Sequence, residues 1–121
     1  MIRLVFCLRR LRSLSRAEFQ RYWRETHGPL VRSHVAALRI HRYVQVHTAD
    51  DPLNDALRAG RGGPEAFDGV AELWWATRAD LDAALSRPEG RAAAAALLED
   101  ERRFIDLAAS PLWVATEHPF V

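Results

Sequence analysis

Residues 15–31 read Ser15-Arg-Ala-Glu-Phe-Gln-Arg-Tyr-Trp-Arg-Glu-Thr-His-Gly-Pro-Leu-Val31, and this stretch decides the fold. Ser15 is a helix N-cap, and Glu18 lies three residues on, where its carboxylate can return a bond to the Ser15 N–H. Leu14 and Phe19 occupy the two positions of a hydrophobic staple. Phe19, Tyr22, Trp23, Thr26, His27, Leu30, Val31 and His34 then fall on one side of a helix. That face is unusual in carrying a Tyr, a Trp and two His among its apolar residues. Gly28-Pro29 interrupts it. The proline lacks an N–H and its ring crowds the carbonyl of Glu25, so a kink or break is expected just after His27.

Outward from this helix, period-two patterning marks strands. Residues 2–9 alternate Ile2, Leu4, Phe6 and Leu8 against Arg3, Val5, Cys7 and Arg9, with both faces largely apolar. The first helix is expected to run from about Ser15 to Leu38. Residues 39–48 form a second strand that places Tyr43, Gln45 and His47 on one face and Val44 and Val46 on the other. The connection 49–68 carries a short helix at 52–58, with Asp51 as its cap, and its length suggests a lid or cavity wall. A third strand at 69–76 alternates Val70, Glu72 and Trp74 with Ala71, Leu73 and Trp75. Thr77 caps a helix over 79–85, Pro88 restarts an Ala-rich helix over 89–107, and 110–120 is a final strand.

The order β-α-β-β-α-β is the ferredoxin-like, split βαβ arrangement of class α+β, an antiparallel sheet with helices on one face. Residues 1–121 make one domain. The other sheet face has no chain left to cover it, and its apolar content predicts a homodimer with sheets packed face to face.

Composition narrows the function. The chain has 121 residues, a formal net charge of +1 and 27% charged residues, so no charge field points to nucleic acid or to a membrane surface. No stretch approaches the ~20 apolar residues of a membrane span, and no secretory leader is recognisable, so a cytoplasmic protein is expected. All 17 basic residues are Arg, which excludes Schiff-base chemistry and a lysine base. The one cysteine, Cys7, reads as a buried structural thiol. The five His fall into no metal-ligand spacing, no Gly-rich phosphate loop follows a strand, and no metal or cofactor is expected. The run Glu99-Asp100-Glu101-Arg102-Arg103 reads as a solvated helix face.

His27 is the leading general acid or base, because a free imidazole titrates near neutral pH. Its bland counterpart is a hydrogen-bonded core His at a helix break. Tyr43, Gln45 and His47 form an array of donors that either orients a ligand oxygen or meets water. Tyr22 either donates to a substrate or caps the core. Trp23, Trp74 and Trp75 can wall an aromatic pocket. Glu72 either pairs with an Arg or, if desolvated, moves protons.

The block Phe19-x-x-Tyr22-Trp23-x-x-x-His27-Gly-Pro-Leu-Val31, with Tyr43-Val-Gln45 and Asp68-Gly-Val-Ala-Glu-Leu-Trp-Trp75, resembles the EthD domain family across nearly the whole chain. The resemblance implies a dimeric α+β barrel. It also implies a small hydrophobic, aromatic or polyketide-like ligand handled by proton transfer without a metal, with His27 and Trp23 matching the family's motif His and Trp. A cofactor-independent dehydratase or isomerase is the leading expectation. A non-catalytic ligand-binding or accessory protein, a cofactor-free monooxygenase and a haem binder using His27 or His118 are the alternatives.

Overall fold

Strand alternation and a few caps account for the architecture. The computed structural model describes residues 1–121. The strands are β1 (Ile2–Leu8), β2 (Arg42–His47), β3 (Gly69–Trp75) and β4 (Leu112–Ala115). They form one antiparallel sheet in the order β2-β3-β1-β4, the ferredoxin-like α+β arrangement. Between them lie α1 (Arg16–Tyr22), a π-turn (Trp23–His27), α2 (Gly28–Ser33), α3 (Val35–Leu38), α4 (Leu53–Ala59), α5 (Arg78–Ser86) and α6 (Pro88–Glu101).

Register sorts the side chains. Leu4 pairs with Leu73 and Phe6 with Ala71 across β1 and β3, while Tyr43 and Gln45 of β2 lie opposite the same two β3 residues. These residues face the helices. Phe6, Leu8, Phe19, Trp23, Ala71, Phe104 and Ile105 make one half of the core. Val31, Leu38, Ile40, Trp75, Leu81, Ala84, Ala93 and Leu97 make the other. Tyr43, Leu4 and Leu73 touch both halves, so Tyr43 stands at the seam.

The capping box forms as expected. The Glu18 N–H donates to Ser15 Oγ at 3.1 Å, and the Ser15 N–H donates to Glu18 Oε1 at 3.0 Å. The expected kinked helix 15–38 is instead broken into segments. Its irregularity begins before the proline, where the Gly28 N–H reaches back five residues to the Trp23 carbonyl. A widened π-turn relieves the crowding that the Pro29 ring imposes on the preceding turn. Arg39, at φ 54°, takes the left-handed conformation that ends α3, so β2 starts at Arg42 rather than at 39.

Two other elements and one residue differ from expectation. α6 stops at Glu101, because the chain turns at 102–104 to bury Phe104 and Ile105, and the Asp106 N–H donates to the Arg9 carbonyl. β4 keeps only four residues, since beyond Ala115 the chain leaves β1 and Glu117 instead meets Arg3 and Trp74. Cys7 is half-buried on the outer sheet face rather than in the core, and partial burial raises its thiol pKa.

Packing over the start of β3 is tight. A Cβ built on Gly69 would come 2.4 Å from the Trp23 ring and 2.8 Å from the Val46 carbonyl. Trp23 is fully buried and Val46 O is backbone, so neither can retreat. Gly69→Ala is expected to cost about 1–3 kcal/mol, as overpacking does. Urea unfolding checks this, and an unchanged midpoint would mean that Trp23 is free to move.

Candidate functional site

The π-turn aims His27 at α6. His27 is 5% exposed, and its Nδ1 lies 2.8 Å from Asp100 Oδ2. The Tyr22 hydroxyl donates to Asp100 Oδ1 at 2.6 Å, and Arg103 donates to the same oxygen at 3.1 Å. Burial pushes the Asp100 carboxyl up. The bonds from Tyr22, His27 and Arg103 more than offset this, and it sits below its ordinary value. Desolvation lowers the His27 pKa, against the pull of Asp100. The pair is therefore a neutral imidazole and a carboxylate. A carboxylate can only accept, so it fixes the proton on Nδ1 and leaves Nε2 as the basic nitrogen. His27 Nε2 makes no protein hydrogen bond. Arg3 Nε is the only fully buried side-chain polar atom without a partner, so His27 Nε2 keeps access to solvent.

Asp100 overturns the reading of 99–103 as a solvated run. It is 4% exposed, and Gly90, Ala93, Leu97 and Asp100 share the buried stripe of α6. That spacing was a usable signal, masked by the density of charge around it. The carboxyl of its neighbour Glu101, also missed, makes no hydrogen bond or ion pair. Burial and the adjacent Asp100 charge push its carboxyl up to about 7, with Arg102 pulling weakly the other way.

A second cluster lies on β2. Gln45 Nε2 donates to the Trp23 carbonyl at 2.8 Å and to the Tyr43 hydroxyl oxygen at 2.9 Å. His47 Nε2 lies 2.8 Å from Gln45 Oε1, and the His47 ring stacks on Trp23 with centroids 4.4 Å apart. Burial and the Arg24 charge lower the His47 pKa, so neutral His47 donates to Gln45. Tyr43 only accepts, and its own O–H remains free. Its pKa is raised by burial, opposed by hydrogen bonding from Gln45 and Trp23, with the Glu101 charge adding to the rise.

Tyr43 and Gln45 open onto a cleft of about 360 Å³ between α2 and β2, which Arg24, Gly28, Pro29 and Arg32 also line. Gly28 leaves room for Gln45, whose Nε2 would lie 3.0 Å from a Cβ there. His27 and His47 do not line this cleft. The sequence-expected residues thus divide. His27 and Tyr22 meet at Asp100, and Tyr43, Gln45 and His47 form a chain bonded to the π-turn.

The remaining expected residues lie elsewhere. Trp74 and Trp75 cannot wall one pocket, because adjacent strand residues point to opposite faces. Trp75 sits in the core and donates to the Leu38 carbonyl at 2.7 Å. Trp74 lies on the outer face under the Arg3 and Arg42 guanidiniums. Glu72 is also on the outer face and is paired with Arg3 at 3.0 Å. Trp23 is 1% exposed and packs against Phe19 and His47 rather than lining the cleft. The connection 49–68 does not cover the cleft either. α4 buries no residue, and this stretch is fastened by Arg9 to the carbonyls of Glu65 and Ala66. No three His, Cys, Asp or Glu side chains gather as a metal site would need. No helix is long and apolar enough to cross a membrane.

The EthD domain profile matches residues 11–108. The chain belongs to the EthD domain family. An ethyl tert-butyl ether d (EthD) family protein of Bacillus halodurans superposes with a TM-score of 0.65 at 18% identity, covering 98% of this chain and 99% of that one. A dimeric ferredoxin-like protein of unknown function from Bacteroides fragilis gives 0.59 at 8% identity, over 96% and 95% of the two chains. SnoaB, a cofactor-independent oxygenase from Streptomyces nogalater, gives 0.54 at 15% identity, over 99% and 95%. At such identities the likeness carries the EthD fold and no activity. No curated protein matches the chain.

Glu101 makes the site pH-sensitive. Its folded pKa lies above the unfolded value, so its contribution to stability is complete below about 4.3 and is lost as pH rises through about 7. Glu101→Gln removes the charge that burial disfavours. The variant is expected to match the parent in melting temperature at pH 5 and to exceed it at pH 8.5. Equal melting temperatures at both pH values would show that the carboxylate is comfortably solvated.

Proposed function

We propose that this EthD protein is a cofactor-independent lyase or isomerase that moves a proton next to a carbonyl on a small hydrophobic, aromatic or polyketide-like substrate. The observation that carries this reading is the buried His27–Asp100 pair. A carboxylate that fixes the Nδ1 tautomer and leaves Nε2 unbonded is the arrangement a general base needs. Tyr43, which lines the cleft and whose O–H has no acceptor within the chain, is the donor that polarises the carbonyl and stabilises the enolate. Gln45 and His47 hold its oxygen in place. Glu101, poised near neutrality and close enough for its charge to raise the Tyr43 pKa, is a further group that can take up a proton.

The second reading is a ligand-binding or accessory protein. It is favoured by one observation: the cleft is open and His27 does not line it. In that case the Asp100 pair only anchors the π-turn to α6. Either protein acts as a homodimer in our reading, supported by an outer sheet face where Val46 and Trp113 are 46% and 47% exposed beside Val5, Cys7, Val44 and Val70.

Deuterium wash-in at the α-carbon of acetophenone and 2-tetralone in D₂O, followed by proton NMR, separates the two readings. The protein is expected to accelerate exchange over buffer. His27→Gln is expected to lose on the order of 100-fold of that acceleration, the usual worth of a positioned base, while retaining a cooperative melt. Exchange no faster than buffer, or full activity in His27→Gln, favours the binder.

A further inference from the structure

We propose that the cleft between α2 and β2 binds an organic acid, with Arg24 and Arg32 clamping its carboxylate at the rim and the Tyr43 hydroxyl donating to an oxygen at the floor. The proposal rests on the small-molecule reading above and narrows its substrate class to carboxylates.

The charge balance of the cleft is one-sided. Arg24 and Arg32 line it, and no Asp or Glu does. Arg32 has no carboxylate partner. Arg24 has only Glu25, at 3.9 Å between two largely exposed side chains, a contact too long and too wet to neutralise it. The Arg24 charge also reaches inward far enough to lower the pKa of His47 behind the floor. Two uncompensated guanidiniums over a concave surface are a ready match for a planar anion, since each presents a fork of N–H donors.

The floor adds a donor and no competing acceptor. The Gln45 amide is committed to the Trp23 carbonyl and to Tyr43, and its oxygen to His47. The Tyr43 O–H is the group left over, with no acceptor within the chain, on a residue that lines the cleft. Pro29 and Val35 supply the apolar wall against which the body of the ligand rests. The volume of about 360 Å³ lies at the small end of ligand sites.

A phosphate fits less well. Phosphate sites at helix starts use free backbone N–H groups. At the start of α2 the Gly28 N–H is taken by the Trp23 carbonyl, and Pro29 has none. Side-chain forks are what remains; they match either anion, so it is the missing backbone donors that count against the phosphate.

Isothermal titration calorimetry at low ionic strength with benzoate, benzamide and phenyl phosphate tests the proposal. Benzoate is expected to bind at least 10-fold more tightly than either of the other two. The double variant Arg24→Gln/Arg32→Gln is expected to lose at least 10-fold for benzoate only, and Tyr43→Phe to lose several-fold. Both arginines are exposed, so the double variant keeps its melting temperature. Equal binding of benzoate and benzamide, preference for phenyl phosphate, or an unchanged double variant overturns the carboxylate site. Benzoate binding without carbonyl-adjacent exchange removes the proton-transfer reading and leaves this one. Exchange without benzoate binding does the reverse.

Discussion

One backbone hydrogen bond holds the candidate site together. In the π-turn the Gly28 N–H skips the Arg24 carbonyl and takes that of Trp23. One additional residue in a turn rotates everything beyond it by about 100° relative to a regular helix. The break lets Trp23 fill the space over Gly69 while His27 reaches Asp100 on α6. The same Trp23 carbonyl accepts from Gln45, which ties the turn to β2. Gly28 leaves space for that contact. Helix, sheet and α6 thus meet through a single irregular turn, and straightening it would break both the His27 and the Gln45 contacts.

Two adjacent carboxyl groups at the end of α6 are driven in opposite directions. Asp100 accepts from Tyr22, His27 and Arg103, and its charge is stabilised in spite of burial. Glu101 has no donor and faces its neighbour's charge, so it holds its proton to about pH 7. Groups of one chemical type separated in this way are suited to different tasks. Asp100 orients and holds charge. Glu101 can give or take a proton near neutrality, within electrostatic reach of Tyr43.

Most of the fold was legible because it rests on local patterns. The Ser15–Glu18 box, the Thr77 cap, the alternation in β1 and β3 and the order of elements all report their surroundings within a few residues. The ends of the long helices were less legible. Nothing local near Glu101 says that Phe104 and Ile105 are worth more in the core than another turn of helix. The site was half legible. His27, Tyr43, Gln45 and His47 stand out as polar side chains on apolar faces. Asp100 hid inside a charge run, although its position one turn after Leu97 on the stripe from Ala93 marked it. Trp74 and Trp75 misled for the opposite reason. Adjacency in sequence suggested a shared wall, and period two in a strand forbids one.

The two sheet faces differ in how their charges are resolved. On the outer face, Arg3 bonds both Glu72 and Glu117, and Arg42 lies over Trp74 beside it. Each carboxylate there has its cation, and what remains is apolar surface suited to packing. On the helix side the Tyr43 O–H, His27 Nε2 and the Glu101 carboxyl lack strong partners within the chain, and the exposed Arg24 and Arg32 have no close carboxylate. Unpaired polar groups on a folded framework are costly when desolvated, and they are tolerated where a ligand or a reaction completes them. Their arrangement around one irregular turn is what the proposed ligand reading rests on, while the same turn also joins helix, sheet and α6.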